Sequence, residues 1–355
     1  MTLTVIIVTL NRPDCVRRCL QCLARQDRLA EQVIVVDASA DQLTRDVVTE
    51  FPGTVYVHNE NGFGRMTASR NLGLKAAGGE IIAFIDDDAF ACPEWASQLL
   101  ETYDQGGLTV GAVGGRALNR QPNEATEGVT EIGKLKRNGM LTGYFAADPG
   151  KTIEVDHLMG CNMSYRREVL IHLGGFREDC TGISGVREDS DMCLRVGRAG
   201  HRLLFNPRAC VDHLGAPQAV GQRFDTRYAY YGQRNHLILL MRNFGPWRGI
   251  VWRYLGYALV HVLGEFIRKT GGAFIRLGAN FIGVCMGGLR GLYLLCRTGT
   301  DPVRHDPGGI EIAEALRGNA EAVTSTMGDP ASDPVTTTPL QTSQSAPSTQ
   351  TAYVR

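Results

Sequence analysis

Within its first 88 residues the chain alternates four short apolar runs with helix-forming stretches, and this alternation constrains the fold more than any other feature. The runs are residues 5–8 (VIIV), 32–36 (QVIVV), 54–58 (TVYVH) and 80–85 (EIIAFI). Between them, residues 14–25 follow Pro13, residues 43–50 form a shorter segment, and residues 67–77 end at Gly78-Gly79, a frequent helix stop. A strand that is apolar at successive positions is buried on both faces, and an intervening helix carries the chain back across the sheet. The expected class is therefore α/β, with a mostly parallel, doubly wound, Rossmann-like sheet. In such sheets ligands bind beyond the carboxyl ends of the strands. Thr9, Asn11 and Arg12, then Asp37, then Asp86, Asp87 and Asp88 all follow strand ends, so they are expected to converge on one crevice.

The fourth run meets three consecutive aspartates, in GGEIIAFIDDD. Adjacent carboxylates repel one another, so the triplet costs stability unless something positive stands beside it. One Asp capping the helix expected near Pro93 accounts for one acid and leaves two. A hard divalent cation accounts for all three, because Mg²⁺ or Mn²⁺ takes carboxylate oxygens and commonly shares them with substrate phosphates. The triplet alone leaves both readings open.

Residues 105–160 are rich in Gly, Asn and charge and only weakly periodic, which suits longer loops and a more mixed region. Helices are expected near residues 166–173, ending at Gly174-Gly175, and from about residue 190 to 199, ending at Gly200. From 247 to 296 apolar residues recur in pairs four apart, among them Ile250, Tyr254, Ala258 and Val262, the pattern of an apolar helix face. The formal net charge of zero argues against a generic nucleic-acid binder. It hides an asymmetry: residues 242–300 hold eight arginines and lysines against Glu265 alone. Residues 250–267 are interrupted by Arg253, His261 and Glu265, too polar for a comfortable span. Residues 277–296 contain Arg290 and several glycines and are barely long enough to cross about 30 Å of hydrocarbon. Two amphipathic helices lying in the membrane plane, with arginines on anionic headgroups, fit better. The ten cysteines are scattered; Cys19 and Cys22 form a CxxC on a helical stretch with no second zinc pair, and free thiols suit a reducing cytosol. The chain opens on a strand, so no secretory signal is expected.

With the acids placed at a strand end, VIIVTLNR at the start, IVVDAS at 34–39, SRNLGLKAAGGEIIAFIDDD at 69–88 and REDSDMCLRVGRAGHRLLFNPRACVDH at 187–213 together resemble a family 2 glycosyltransferase of GT-A fold, over roughly residues 3–245. The resemblance implies nucleotide-sugar chemistry and a role for each matching residue. Thr9, Asn11, Arg12 and Asp86 would line the nucleotide. Asp37 would accept the N3–H of a uracil, or else close an Asx turn, for which Asp-Ala-Ser is well suited. Arg70 and Asn71 match the pair that contacts base and diphosphate, although Arg70 could instead pair with one of the acids. Asp88 matches the metal ligand of the DXD signature, and His213 a histidine that reaches the metal or the phosphates. Glu188 and Asp189 match the acidic pair that supplies the catalytic base, with Asp189 preferred. Gly160 and Asn162 resemble the loop beneath the sugar and acceptor, and Asp87 is placed on that side too. Asp191 and Arg195, four apart, read as a structural ion pair.

The function so implied is metal-dependent (Mg²⁺ or Mn²⁺), inverting transfer of one sugar from a nucleotide diphosphate sugar, a UDP-sugar first, to a hydroxyl of a glycan or lipid-linked acceptor. The Gln-x-x-Arg-Trp signature of processive synthases is missing; the corresponding stretch reads YYGQRNHLILLMRN. A nucleotidyltransferase would need a Gly-rich phosphate loop where this chain has TLNRPDC, and a non-catalytic subunit of a membrane polysaccharide assembly would have no use for both acidic motifs. The expected division is a nucleotide-sugar part (1–115), an acceptor part (116–245), membrane-associating helices (246–298) and a disordered tail (299–355), with the enzyme on the cytoplasmic face of a membrane. The tail is plainest beyond about residue 320, where Ser, Thr, Pro and Gln cannot build a core.

Overall fold

The structure, a computed structural model, describes residues 1–120, 124–178, 186–215, 225–268 and 273–327. The side-chain interruptions expected at His261 and Glu265, and the tail beyond residue 327, lie outside what is described. The opening alternation holds. β1 (Leu3–Thr9), α1 (Pro13–Leu23), β2 (Gln32–Asp37), α2 (Leu43–Thr49), β3 (Thr54–His58), α3 (Met66–Ala76) and β4 (Ile81–Asp86) follow in order. Their ladders β1–β2, β1–β4 and β2–β3 are all parallel. Side chains alternate across the pleat, so Leu3, Val5 and Ile7 pack with Val16 and Leu20 of α1, while Ile6 packs with Leu74 of α3 on the other face. Thr9 lies opposite Asp37 and Val8 opposite Asp86, which brings the three polar strand ends side by side.

Beyond β4 come β5 (Ala89–Ala91), α4 (Trp95–Gly106), β6 (Val110–Leu118), β7 (Ile153–Val155), β8 (Asn162–Arg166), α5 (Arg167–Leu173), α6 (Glu188–Arg198) and β9 (Arg202–His213). The strand order is β3-β2-β1-β4-β8-β6-β9-β5, with β7 also on β9. Here the sheet turns mixed: β8 is antiparallel to β4 and β6, and β5 and β7 are antiparallel to β9. The parallel arrangement therefore describes one half. β8 is reached through loops, without the crossover helix that imposes parallel pairing.

Four helices follow: α7 (Thr226–Phe244), α8 (Gly249–Arg268), α9 (Ala273–Thr298) and α10 (Pro307–Met327). Leu237, Leu240 and Met241 of α7 pack with Val251, Tyr254 and Ala258 of α8. α9 lies along α7 on a glycine stripe. A Cβ at Gly283 would stand 2.5 Å from the Tyr230 carbonyl oxygen, and one at Gly287 2.7 Å from that of Arg234, so only glycine lets the two backbones approach. α10 corrects the expected tail from 299 onward. Ile312, Ala313 and Leu316 are buried on one face, Ile312 and Leu316 within the cluster over α3 and α5, and Asn319 donates to the carbonyls of Lys75 and Ala77. Three apolar residues on one helix face are enough to bind the segment to an existing core.

Candidate active site

The carboxyl ends of β1 and β4, the start of α6 and the end of β9 enclose a cleft of about 380 Å³. Thr9, Arg12, Arg70, Asp86, Asp87, Asp88, Gly160, Glu188, Asp189 and His213 all line it. Of the strand-end residues expected to converge, Thr9, Arg12, Asp86, Asp87 and Asp88 do, while Asn11 and the buried Asp37 are not among the lining residues; residues 75 or more apart in sequence meet there.

The aspartate triplet is partly neutralised from within. Arg12 Nη1 donates to Asp87 Oδ1 at 2.9 Å and to Asp88 Oδ2 at 3.2 Å, and Thr9 Oγ1 donates to Asp87 Oδ2 at 2.7 Å. Asp87 is buried, and that burial, with Asp88 and Asp86 adding to it against Arg12 and Thr9, pushes its carboxyl up to about 7. Both of its oxygens are held, one by Thr9 and one by Arg12. Asn11 sits in the left-handed region (φ 55°), and its N–H donates to Ser39 Oγ at 2.7 Å, tying the loop after β1 to that after β2.

Asp88 is instead aimed at His213, whose Nε2 lies 3.4 Å from Asp88 Oδ1. His213 Nδ1 is 2.8 Å from Oδ1, the side-chain amide oxygen of Asn119, which can only accept. Nδ1 therefore carries the proton, and in the neutral ring Nε2 turns its lone pair toward the acids. Asp86, His213 and the buried Cys161 place ligand atoms within 4.8 Å of one another. Asp86, Asp88 and His213 offer carboxylate oxygens and an imidazole nitrogen together, donors that Mg²⁺ or Mn²⁺ takes, with the Cys161 thiol beside them. The residues present fit the metal.

Arg70 joins the two acidic motifs. It is buried, with Nη1 donating to Glu188 Oε1 at 2.8 Å and Nη2 at 3.5 Å from Asp86 Oδ1. The pairing with acids, not a phosphate contact, is what its surroundings provide. Burial, with Asp189 adding to it and Arg70 opposing, pushes Glu188 up to about 8, and its Oε2 is buried without a hydrogen-bond partner. Asp189 is half-buried at the cleft wall; its Oδ1 accepts from Ser190 N (2.6 Å) and its Oδ2 from Gly160 N (3.0 Å). A Cβ on Gly160 would press on Arg70 Nη2 at 3.0 Å and Asp189 Oδ2 at 3.4 Å, so this glycine lets the acid and the guanidinium close up.

Four residues singled out in the sequence meet protein partners here. Asn162 is fully buried, accepting from Trp95 Nε1 at 2.9 Å and donating to the carbonyls of Arg116 and Ala209, so it pins strands together. Asn71 holds Phe176 through both its amide and its carbonyl, and also donates to Glu178. Asp37 is fully buried and closes the Asx turn, accepting from Ser39 N and Oγ and from the Tyr56 hydroxyl. Asp191 pairs with Arg177 at 3.3 Å and accepts from Asn243, while Arg195 donates to the carbonyls of Leu173, Gly175 and Pro302. Periodicity predicts which side chains share a helix face; it does not predict what a buried polar group meets from elsewhere. Cys161, Asn119 and Arg187 entered the site without a sequence argument, although Arg187 directly precedes the acidic pair.

Residues 4–174 match the family model described as glycosyl transferase family 2. The glucosyl-dolichyl phosphate glucuronosyltransferase of Haloferax volcanii is 30% identical over 199 residues, covering 54% of this chain and 61% of that protein. The chain thus spans less than two thirds of that relative's length. Among solved structures, the mannosyltransferase PcManGT of Pyrobaculum calidifontis, in complex with GDP-Man and Mn²⁺, superposes with a TM-score of 0.50 at 17% identity, over 92% of this chain and 88% of that one. TarS 1-349 of S. aureus, in complex with UDP, superposes with a TM-score of 0.52 at 17% identity, over 92% of each chain. At such identities the likeness concerns the fold. Fold, motif order and family match agree: over residues 4–174 the chain is similar to glycosyltransferase family 2, and its fold is like that of GT-A enzymes.

Proposed function

We propose that the protein transfers one sugar from a nucleotide diphosphate sugar, a UDP-sugar first, to a hydroxyl of a glycan or lipid-linked acceptor, with inversion at the anomeric carbon. One observation carries this reading: the Asp88–His213 pair and the Glu188–Asp189 pair line the same cleft, and Arg70 ties Glu188 to Asp86 of the aspartate triplet. Asp88 and His213, with Asp86 beside them, would hold Mg²⁺ or Mn²⁺, whose charge would stabilise the departing diphosphate. The acceptor oxygen forms its bond to the anomeric carbon as the bond to the β-phosphate oxygen breaks and its electron pair leaves with the nucleotide. Asp189, facing the cleft, takes the acceptor's proton. Glu188, raised by burial, holds its own proton near neutral pH and positions Arg70. Thr9 and Arg12 hold Asp87 so that Asp88 keeps its aim. Orientation of the two sugars and charge stabilisation lower the barrier.

The same reading places the protein at the cytoplasmic face of a membrane. α8 and α9 turn Trp252, Leu259, Phe281, Ile282 and Leu289 outward, with Trp247 just before α8 stacked on Trp252, and Arg253, Arg276 and Arg297 lie exposed among them. α9 is long and apolar enough over Ile275–Thr298 to cross a membrane by length and composition, but its packing on α7 supports the in-plane orientation.

The test is nucleotide release from a panel of nucleotide sugars in Mn²⁺. Asp88→Ala should abolish turnover and Mn²⁺-dependent nucleotide binding while far-UV circular dichroism stays unchanged. Near-normal turnover of that variant in excess chelator would refute the reading.

A further inference from the structure

The cleft holds a cation that nothing in the described structure neutralises. Arg12 is taken by Asp87 and Asp88, Arg70 by Glu188 and Asp86, and Arg65 by Glu178 at 3.5 Å. Arg187 also lines the cleft, yet its side chain forms no hydrogen bond or ion pair among the described residues, and its Nε is buried without a partner. Its backbone is costly as well. At φ 79°, ψ 6° it caps α6 in the left-handed region, where glycine would sit without strain. A residue kept in that conformation, with an uncompensated guanidinium, is the kind of outlier that accompanies function.

Its surroundings indicate which ligand it meets. Asn235 of α7 donates to the Val186 carbonyl at 2.9 Å and fixes the turn that presents Arg187. The charge of Arg187 is felt by His236 on α7 and Tyr254 on α8, whose rings lie 4.5 Å apart. His157 feels both Arg187 and Asp189, and the Asp189 carboxylate is held by Gly160 and Ser190 rather than by Arg187. Arg187 thus stands on the α7–α8 side of the Glu188–Asp189 pair, and the aspartate triplet with His213 is a separate group. The two helices beside it lead to the exposed apolar face that begins at Trp247 and Trp252.

We infer that Arg187 docks a phosphate group of the acceptor, so that the acceptor is a phosphate-bearing sugar or lipid and Arg187 is a specificity-determining residue. The inference rests on the glycosyl-transfer reading above. A guanidinium fork matches phosphate oxygens bidentately, and a partly buried, unpaired one is poised to do so. A phosphate that joins a sugar to an apolar chain would set its charge at Arg187, its sugar at Asp189 and its chain along α7 and α8.

The experiment is calorimetric titration of the full chain, saturated with UDP and Mn²⁺ so that the donor side is filled, with farnesyl phosphate, glucose 1-phosphate and farnesol. At least one phosphate probe should bind more tightly than farnesol. The tighter of the two distinguishes a lipid from a soluble source. Arg187→Met should weaken phosphate-probe binding about ten- to a hundredfold while leaving farnesol and UDP affinities unchanged. Arg187→Gly, which suits the backbone, should show the same loss in a fully folded chain, and Arg187→Lys should recover part of it. Phosphate probes that bind Arg187→Met as they bind the unsubstituted chain, or that bind the latter no better than farnesol, would overturn the inference. So would a loss confined to UDP. Failure of UDP to bind the unsubstituted chain at all would instead sink the donor reading.

Discussion

Replacing Glu188 by glutamine should make the folding stability of the protein less sensitive to pH. Glu188 is 5% exposed, and burial, reinforced by Asp189 against Arg70, raises its carboxyl to about 8. In the unfolded chain a glutamate titrates near about 4.3. The folded protein therefore binds this proton more tightly. The stability it confers is complete below about pH 4 and is lost progressively as the pH rises to about 8. At 1.36 kcal/mol per unit, a difference of nearly four units sets a ceiling of about 5 kcal/mol on that loss. Glutamine has the shape of the protonated acid and does not titrate. The stability of Glu188→Gln relative to the unsubstituted chain should rise with pH, at up to about 1.4 kcal/mol per unit, and level off above about pH 8. Urea unfolding followed by circular dichroism at intervals between about pH 5 and about pH 8 measures it, and using the difference between the two proteins cancels every other titrating group. A difference that is flat with pH, or that falls, would show that Glu188 is ionised in the folded protein and that Arg70, not burial, controls it.

Asp189→Asn should lower turnover at least about a hundredfold with little change in nucleotide-sugar affinity, measured as steady-state kinetics beside calorimetric nucleotide binding. Asp191→Asn should leave catalytic chemistry alone but cost about 3 kcal/mol or more in urea unfolding. Three arginines (Arg177, Arg195 and Arg242) outweigh burial to hold that carboxyl below its ordinary range, and they would lose their counter-charge. Leu316→Ala should cost about 2–5 kcal/mol, because Leu316 is fully buried over α3 and α5; no loss of stability would mean that α10 is not docked.

Half of the sheet was legible because its cause is local. The runs at 5–8, 32–36, 54–58 and 80–85 are continuous in apolar character, the helices between them are bounded by Pro13 and by Gly78-Gly79, and each expected element lies within two residues of the observed one. Beyond β4 the helices expected near 166–173 and 190–199 match α5 and α6, but the strands were not legible. Residues 162–166 (NMSYR) carry far less strand character than β1, and nothing local says that they enter antiparallel between β4 and β6. α10 was misread for a related reason: the polar character of residues 299–327 outweighs three apolar side chains, whose value appears only once α3 and α5 offer a surface to receive them.

The sequence by itself determined which residues lie at strand ends and how the acidic motifs are ordered. Both follow from periodicity and from the rule that polar groups collect where a buried strand ends. Only the tertiary structure decided how those polar groups are used. Asn71, Asn162 and Asp37 resemble ligand-binding residues in a linear reading, yet each is consumed by partners up to 107 residues away. Arg187 resembles one more helix-flanking charge, yet it alone among Arg12, Arg65, Arg70 and Arg187 is left without an acid. The pairing of a buried polar group depends on which other groups the fold delivers within about 3 Å, and that is a property of the packed chain rather than of any segment of it.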